Sequence, residues 1–299
     1  MCATCGCGDD AGTRLTLYPE GGEHTHVGHH AHDHDLDHDH DHDHDHPHSH
    51  ADDHTDQHRH VHLPSVAVGI DTGAGGRTVV LEQQILAKNA SLAQANRSWL
   101  HERGVLAVNL MSSPGSGKTT LLEQTIADLP GGRPIAVIEG DQETPQDAER
   151  IRRAGRPVIQ VNTGAGCHLD ADMVRRALTA LDPQPGTIVF IENVGNLVCP
   201  ALFDLGEAKR VVLASVTEGA DKPSKYPQMF RDADLVLLNK MDLLPYVSFD
   251  TERFAADVAG LNPSAILMPI TATESASLMP WFEWLSTTLV GNTASSALT

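Results

Sequence analysis

The stretch Leu110-Met111-Ser112-Ser113-Pro114-Gly115-Ser116-Gly117-Lys118-Thr119-Thr120 limits the possible folds more than any other in the chain. Apolar residues lead into it, small residues fill its middle, and residues compatible with a helix follow. It reads as a strand end, a loop and a helix start. Such a loop turns backbone N–H groups toward an anion, and the helix dipole adds to the attraction. Ser113, Pro114, Gly115, Ser116, Gly117, Lys118, Thr119 and Thr120 would line a phosphate chain. Lys118 would reach the β- and γ-phosphates, and the Thr119 hydroxyl would hold Mg²⁺. Ser112 stands where the general pattern has a glycine.

A strand that feeds such a loop needs neighbours on both sides. Short apolar runs recur at 105–111, 134–138, 157–161, 187–191, 210–216, 235–238 and 265–270. Most do not alternate with polar residues, as expected of strands buried on both faces. Helical stretches at 119–129, 144–154, 170–181, 226–232, 251–259 and 275–289 separate most of them. This alternation predicts a three-layer α/β fold with a mostly parallel sheet of about seven strands. Residues 105–292 carry that domain, and 293–299 form a tail. Just upstream, 81–104 has helical periodicity, with Leu81, Ile85, Leu92, Trp99 and Leu100 near one side. That stripe predicts a leading helix packed on the domain and capped by Gly104. The glycine-rich 65–80 reads as a linker.

Further motifs follow in the order a GTPase requires. Phe190-Ile191-Glu192-Asn193-Val194-Gly195 is a strand ending in E-x-x-G. Its carboxylate can act near Mg²⁺, and the Gly195 N–H can meet a γ-phosphate. Leu238-Asn239-Lys240-Met241-Asp242 is N-K-x-D after a strand. A buried Asp242 would accept from guanine N1 and N2, a donor pair adenine lacks. Asn239 would brace the loop, and the Lys240 stem would lie over the base. At 270–273, a backbone N–H of Thr271 or Ala272 would meet guanine O6. Asp141, in Glu139-Gly140-Asp141, and Glu192 are candidates to order the attacking water or the waters of Mg²⁺. No arginine finger is evident, so unassisted turnover should be slow.

The charge is −19 with histidine neutral, which disfavours duplex nucleic acid as a partner. Much of it lies in an N-terminal region poor in large apolar side chains. All but two of the 19 histidines, His101 and His168, fall between 24 and 62. From His38 through His40, His42 and His44 to His46, histidine and aspartate alternate strictly. Such a sequence cannot bury a core, so 9–64 is expected to lack fixed structure. Neutral imidazoles suit Ni²⁺, Cu²⁺ and Zn²⁺, and many loosely placed ones suit buffering or storage. Before the tract, Cys2, Cys5 and Cys7 form C-x-x-C-x-C within 1–8. Three thiolates so close can wrap one Zn²⁺ or Ni²⁺, with the Cys2 amine as a further ligand if Met1 is removed. An odd cysteine count at this spacing favours metal binding in a reducing compartment, hence the cytoplasm. No leader pattern opens the chain, and no apolar run is long enough to span a membrane.

A second set lies inside the domain. Gly166-Cys167-His168-Leu169 follows a strand, and Cys199 comes four positions after Gly195. Two thiolates and an imidazole make a partial site for Zn²⁺ or Ni²⁺. Spacing alone leaves a second reading open, in which the cysteines are buried small hydrophobes.

Taken together, these residues resemble the HypB family of hydrogenase nickel-incorporation GTPases. The likeness runs through C-x-x-C-G-C, the histidine tract, SSPGSGKTT, EGDQ (Glu139 to Gln142), VNTG-x-GCHLD, ENVGNLVCP, TEG-x-DKP (Thr217 to Pro223) and NKMDLLP. Ser112 matches that family. The resemblance implies a SIMIBI-class P-loop GTPase that delivers Ni²⁺ during maturation of [NiFe]-hydrogenase. It implies a HypA-type nickel chaperone and the hydrogenase large-subunit precursor as partners, and a GTP-dependent homodimer with the domain metal site at its interface. Cys2, Cys5 and Cys7 would be the high-affinity site, and Cys167, His168 and Cys199 the second, with Zn²⁺ a candidate there. The rival readings are a nickel store that keeps a nucleotide fold and a related GTPase serving urease.

Overall fold

The computed structural model describes residues 13–18, 74–141, 146–164 and 166–296. The chain divides into one unit of Met1–Val27 with Leu81–Thr299 and a second of Gly28–Val80; the sheet belongs to the first. Its strands are β1 (Arg14–Tyr18), β2 (Leu106–Ser112), β3 (Ile135–Asp141), β4 (Val158–Asn162), β5 (Ile188–Glu192), β6 (Lys209–Ser215), β7 (Leu235–Asn239) and β8 (Ile266–Pro269). They form one sheet in the order β1-β4-β3-β5-β2-β6-β7-β8. The strand that feeds the small-residue loop, β2, lies inside it between β5 and β6. Every residue of β2 is buried, which is why its sequence does not alternate.

The helices are α1 (Ala74–Glu102), α2 (Lys118–Asp128), α3 (Gln146–Arg153), α4 (Ala171–Leu181), α5 (Cys199–Leu202), α6 (Lys222–Lys225), α7 (Pro227–Arg231), α8 (Thr251–Leu261) and α9 (Met279–Ser296). On one face of the sheet Val108, Leu110, Val137 and Phe190 pack with Leu121, Leu122, Ile151 and Trp281, from α2, α3 and α9. On the other, Ala107, Ile138, Ile159 and Val189 meet Leu100, Val174 and Leu178, from α1 and α4. Further along that face Val212 and Val236 meet Phe230, Phe254 and Val258, from α7 and α8. The predicted three layers and mostly parallel sheet are present.

Helix α1 begins at Ala74, inside the stretch 65–80 read as a linker. Two further features depart from the sequence reading. The sheet has eight strands, because Arg14–Tyr18 joins it within the stretch expected to lack structure. Leu15 and Leu17 pack against the core beside α4, so a short alternating run covers the open side of β4. It is the one antiparallel neighbour. The second departure is the docking face of α1. Ile85 is exposed, and the buried positions are Asn89, Ala93, Asn96 and Leu100. Asn96 Nδ2 donates to the carbonyls of Ala171 at 2.8 Å and Leu205 at 2.9 Å. Asn89 donates to the Asp204 carbonyl at 2.7 Å and accepts from the Ala171 N–H at 2.8 Å. The helix sits close because Gly206 faces it: a Cβ there would lie 2.4 Å from the Ala93 carbonyl oxygen. Gly104 ends the helix at φ +62°, as expected, with its N–H on His101 O and that of Val105 on Leu100 O.

Candidate functional site

The C-terminal ends of β2, β3, β5, β6 and β7 open on one edge of the sheet, and α2 begins there. Gly115 and Gly117 take φ of +76° and +106°, which lets the loop fold back before α2. Lys118 Nζ donates to Ser112 Oγ at 2.9 Å. Thr119 Oγ1 donates to Glu192 Oε1 at 2.7 Å, so the start of α2 meets the end of β5. Gly195 lies against the loop: a Cβ there would be 3.1 Å from Pro114 Cα. Arg150 of α3 pairs with Glu123 at 2.5 Å and reaches Thr120 Oγ1 at 3.4 Å, tying α3 to α2. Asp141 ends β3 half-buried, its carbonyl accepting from the Thr163 N–H at 2.9 Å.

The N-K-x-D segment braces the loop from the other side. Asn239 Nδ2 donates to Ser116 O at 2.8 Å, and its Oδ1 accepts from the Ala272 N–H at 2.9 Å. Lys240, at φ +62°, donates to Gly115 O at 2.8 Å. Asp242 differs from the expectation: it is exposed, because the left-handed Lys240 turns the chain outward into the 3-10 turn Met241–Tyr246. The Thr271 N–H donates to Ser277 Oγ at 2.7 Å. Both N–H groups expected to meet a base therefore already hold partners, and the segment supports Asn239.

Three residues in the site carry no role from motif reading. Glu218 accepts from Ser116 Oγ, and Lys222 donates to Ser113 Oγ at 3.1 Å while facing Glu218 at 3.8 Å. The third is Glu139, on β3. Burial pushes its carboxyl up to about 9, reinforced by Glu192, Asp141 and Asp147 and opposed by Lys118. Burial likewise raises Glu192 to about 6, against the pull of Lys118 and the Thr119 hydrogen bond. At sequence level Glu139 is marked only as the first residue of the EGDQ likeness, with no role attached to it.

Beyond β4 and β5 the chain brings Cys167, His168 and Cys199 together. Their ligand atoms lie within 4.8 Å of one another, with the two sulfurs 2.9 Å apart and Cys167 Sγ 3.8 Å from His168 Nδ1. All three are half-buried, so the cysteines are not enclosed core residues. The His168 ring stacks on Phe203 at 3.9 Å. Burial lowers the His168 pKa, opposed by Asp170, which favours the neutral imidazole that binds metal. Asn196, next to Gly195, donates to Cys167 O at 3.4 Å and accepts from the Val198 N–H at 2.9 Å. On the far side, Leu169 fills the space a Cβ of Gly140 would need, 2.8 Å away. Cys2, Cys5, Cys7, His38, His40, His42, His44 and His46 lie outside the described residues.

The chain is similar to known proteins. The family described as CobW/HypB/UreG, nucleotide-binding domain, matches residues 106–269. Hydrogenase maturation factor HypB of Escherichia coli K12 is 45% identical over 293 residues, covering 96% of this chain and 99% of that protein. The HypB of Azotobacter chroococcum is 54% identical over 209 residues, covering 70% and 68%. A crystal structure of HypB from Helicobacter pylori in complex with nickel superposes with a TM-score of 0.64 at 38% identity, covering 69% of this chain and 96% of that one. A P-loop whose base-side strand, E-x-x-G segment and Cys-His-Cys cluster share one sheet edge, in a sequence this close to those relatives, belongs to the HypB family of hydrogenase maturation factors.

Proposed function

We propose that the protein is a GTP-hydrolysing nickel metallochaperone that releases Ni²⁺ during maturation of a [NiFe]-hydrogenase. The observation that carries this reading is one continuous segment, Glu192 to Cys199, that touches both sites. Its first residue accepts from Thr119, Gly195 lies on Pro114, and Cys199 stands 2.9 Å from Cys167.

Lys118 neutralises phosphate charge, and the loop from Ser113 to Thr120 cradles the phosphates. Asp242, at the mouth, accepts from guanine, while Lys240 and Asn239 hold the loop that carries it; Ala272 holds Asn239, and Thr271 is held by Ser277. Thr119 and Glu192, two hard oxygen donors 2.7 Å apart, would hold Mg²⁺, which would supply electrostatic stabilisation of the transferring phosphoryl group. Asp141 and Glu192 order the attacking water. Loss of the γ-phosphate moves Gly195, and that shift passes within four positions to Cys199. Cys167, His168 and Cys199 then hold the cargo less tightly. Two soft sulfurs and a neutral imidazole suit Ni²⁺, with Zn²⁺ a competitor. The Cys2, Cys5, Cys7 motif and the histidine tract collect nickel upstream. A homodimer, a HypA-type chaperone and the hydrogenase large-subunit precursor complete the route, which runs in the cytoplasm. The nickel complex of the H. pylori relative supports this reading.

The test is a Ni²⁺ titration of residues 74–299 with GDP and with a non-hydrolysable GTP analogue. Affinities differing by about 5-fold or more are expected, in the usual range of coupling between sites. Equal affinities in the two states would sink the coupling.

A further inference from the structure

Among the described residues, two buried side-chain polar atoms have no hydrogen-bond partner, Glu139 Oε2 and Glu192 Oε2. They are neighbours. Glu139 and Glu192 stand opposite each other in the β3–β5 register, so both side chains leave the same face, one interstrand spacing of about 4.8 Å apart. That face lies under α2 and α3: the residues two positions back, Val137 and Phe190, share a core with Leu121, Leu122 and Ile151. Glu139 is 2% exposed and Glu192 4%. Lys118 is the one ammonium that acts on both; Arg150 also acts on Glu192, but it is already paired with Glu123 and Asp147. One ammonium cannot balance two carboxylates, and a buried carboxylate oxygen without a partner is costly. The deficit of positive charge therefore lies beside Thr119, at the end of the sheet where α2 begins.

We propose that Glu139 is a cation-positioning residue, whose carboxylate acts with Glu192 and Thr119 to hold the divalent cation that accompanies the nucleotide. The proposal rests on the GTPase reading above and adds to it a residue that motif reading passes over. A divalent ion of the Mg²⁺ type meets the need, because it is hard, takes oxygen ligands and brings the missing charge. Among the described residues, Glu139 makes no hydrogen bond with the loop from Ser113 to Thr120 and meets it through the charge of Lys118 alone, so its main effect falls on the cation. Nucleotide affinity without metal should not fall when its charge is removed, since that leaves Lys118 freer for phosphate. The amount of Mg²⁺ needed to tighten binding should rise.

The experiment uses the full chain and a fluorescent GDP analogue, first in EDTA and then across a Mg²⁺ titration. E139Q keeps the side chain's shape and loses its charge. It should bind the analogue in EDTA at least as tightly as the wild type does, and need about tenfold more Mg²⁺ to reach half of the tightening, the usual loss when a group supporting a metal site is removed. An unchanged Mg²⁺ midpoint overturns the proposal. Should E139Q fail to bind in EDTA, E139D decides in the same way: it keeps the charge but draws it back by one methylene, and a raised midpoint supports the role while an unchanged one overturns it. A wild type that binds no guanine nucleotide overturns the GTPase reading instead.

Discussion

Gly117 shows how tightly single residues fit at this site. At φ +106° it can only be glycine without strain, and a Cβ would come within 2.6 Å of Asn239 Nδ2. That amide bridges Ser116 and Ala272, so one added methyl would disturb the phosphate loop and the base-side strand together. The two buried glutamates are as demanding, and they make stability depend on pH. An acid whose pKa is raised by folding keeps a proton that the unfolded chain releases. Its contribution is therefore complete below the unfolded value and is lost as pH rises through the folded one. For Glu139 that window runs from 4.5 to about 9, and for Glu192 from 4.5 to about 6. Without metal and nucleotide, the melting temperature should fall as pH rises from 6 to 9, and E139Q should flatten that slope. Thermal melts across the range check it; identical slopes for wild type and variant would refute the assignment. The loop from 112 to 120 is legible in sequence because glycines and a lysine at fixed spacing have few other uses. Glu139 is not, since only its neighbour across the sheet and its depth make it unusual.

At the scale of elements, burial decides what can be read. Strands enclosed on both faces are apolar runs, and β2, β5 and β7 are found from that alone. The helix α1 is found by its period, but Ile85 of its apolar stripe is exposed and the Trp99–Leu100 end of the stripe is what packs on the core. The helix also docks through two asparagines that satisfy backbone groups at the start of α4 and in the turn before β6, around a glycine that lets the helix approach. A hydrophobicity pattern cannot show a face whose contacts are hydrogen bonds. The interaction is strong because its acceptors are buried: Asn96→Ala should cost about 2 kcal/mol, leaving the Ala171 and Leu205 carbonyls without this donor. Urea denaturation measures it. A loss under about 0.5 kcal/mol, typical of an indifferent surface change, would mean that Ala93 and Leu100 dock the helix unaided. The metal-ligand residues are legible as residue types only. Their meeting depends on β4 and β5 ending on the same edge of the sheet, on either side of β3.

At the scale of the molecule, the late order of motifs along the chain becomes one edge of the sheet in space. The nucleotide loop leaves β2, the E-x-x-G segment leaves β5, and the Cys167 loop leaves β4, each at its C-terminal end. What the sequence could not show is where the N-terminal region attaches. Strand β1 runs antiparallel to β4 and pairs Arg14 with Asn162, five positions before Cys167. The chain therefore departs toward its N-terminus from the very edge that carries the Cys167, His168 and Cys199 cluster. Cys7 stands seven positions before Arg14, so it remains within about 30 Å of Asn162 whatever path the intervening residues take. On the proposed function, a metal ion leaving the cysteine motif would meet Cys167 and Cys199 as parts of its own leash, not as solutes. Inserting on the order of 40 flexible residues between Cys7 and Arg14 should slow transfer between the two sites roughly tenfold, as effective concentration falls with tether length. Stopped-flow spectroscopy of the nickel–thiolate bands would follow the ion across, and an unchanged rate would mean the hand-over is between molecules. On that proposal the five residues of β1 act as a mooring: they would set the local molarity of one metal site as seen by the other.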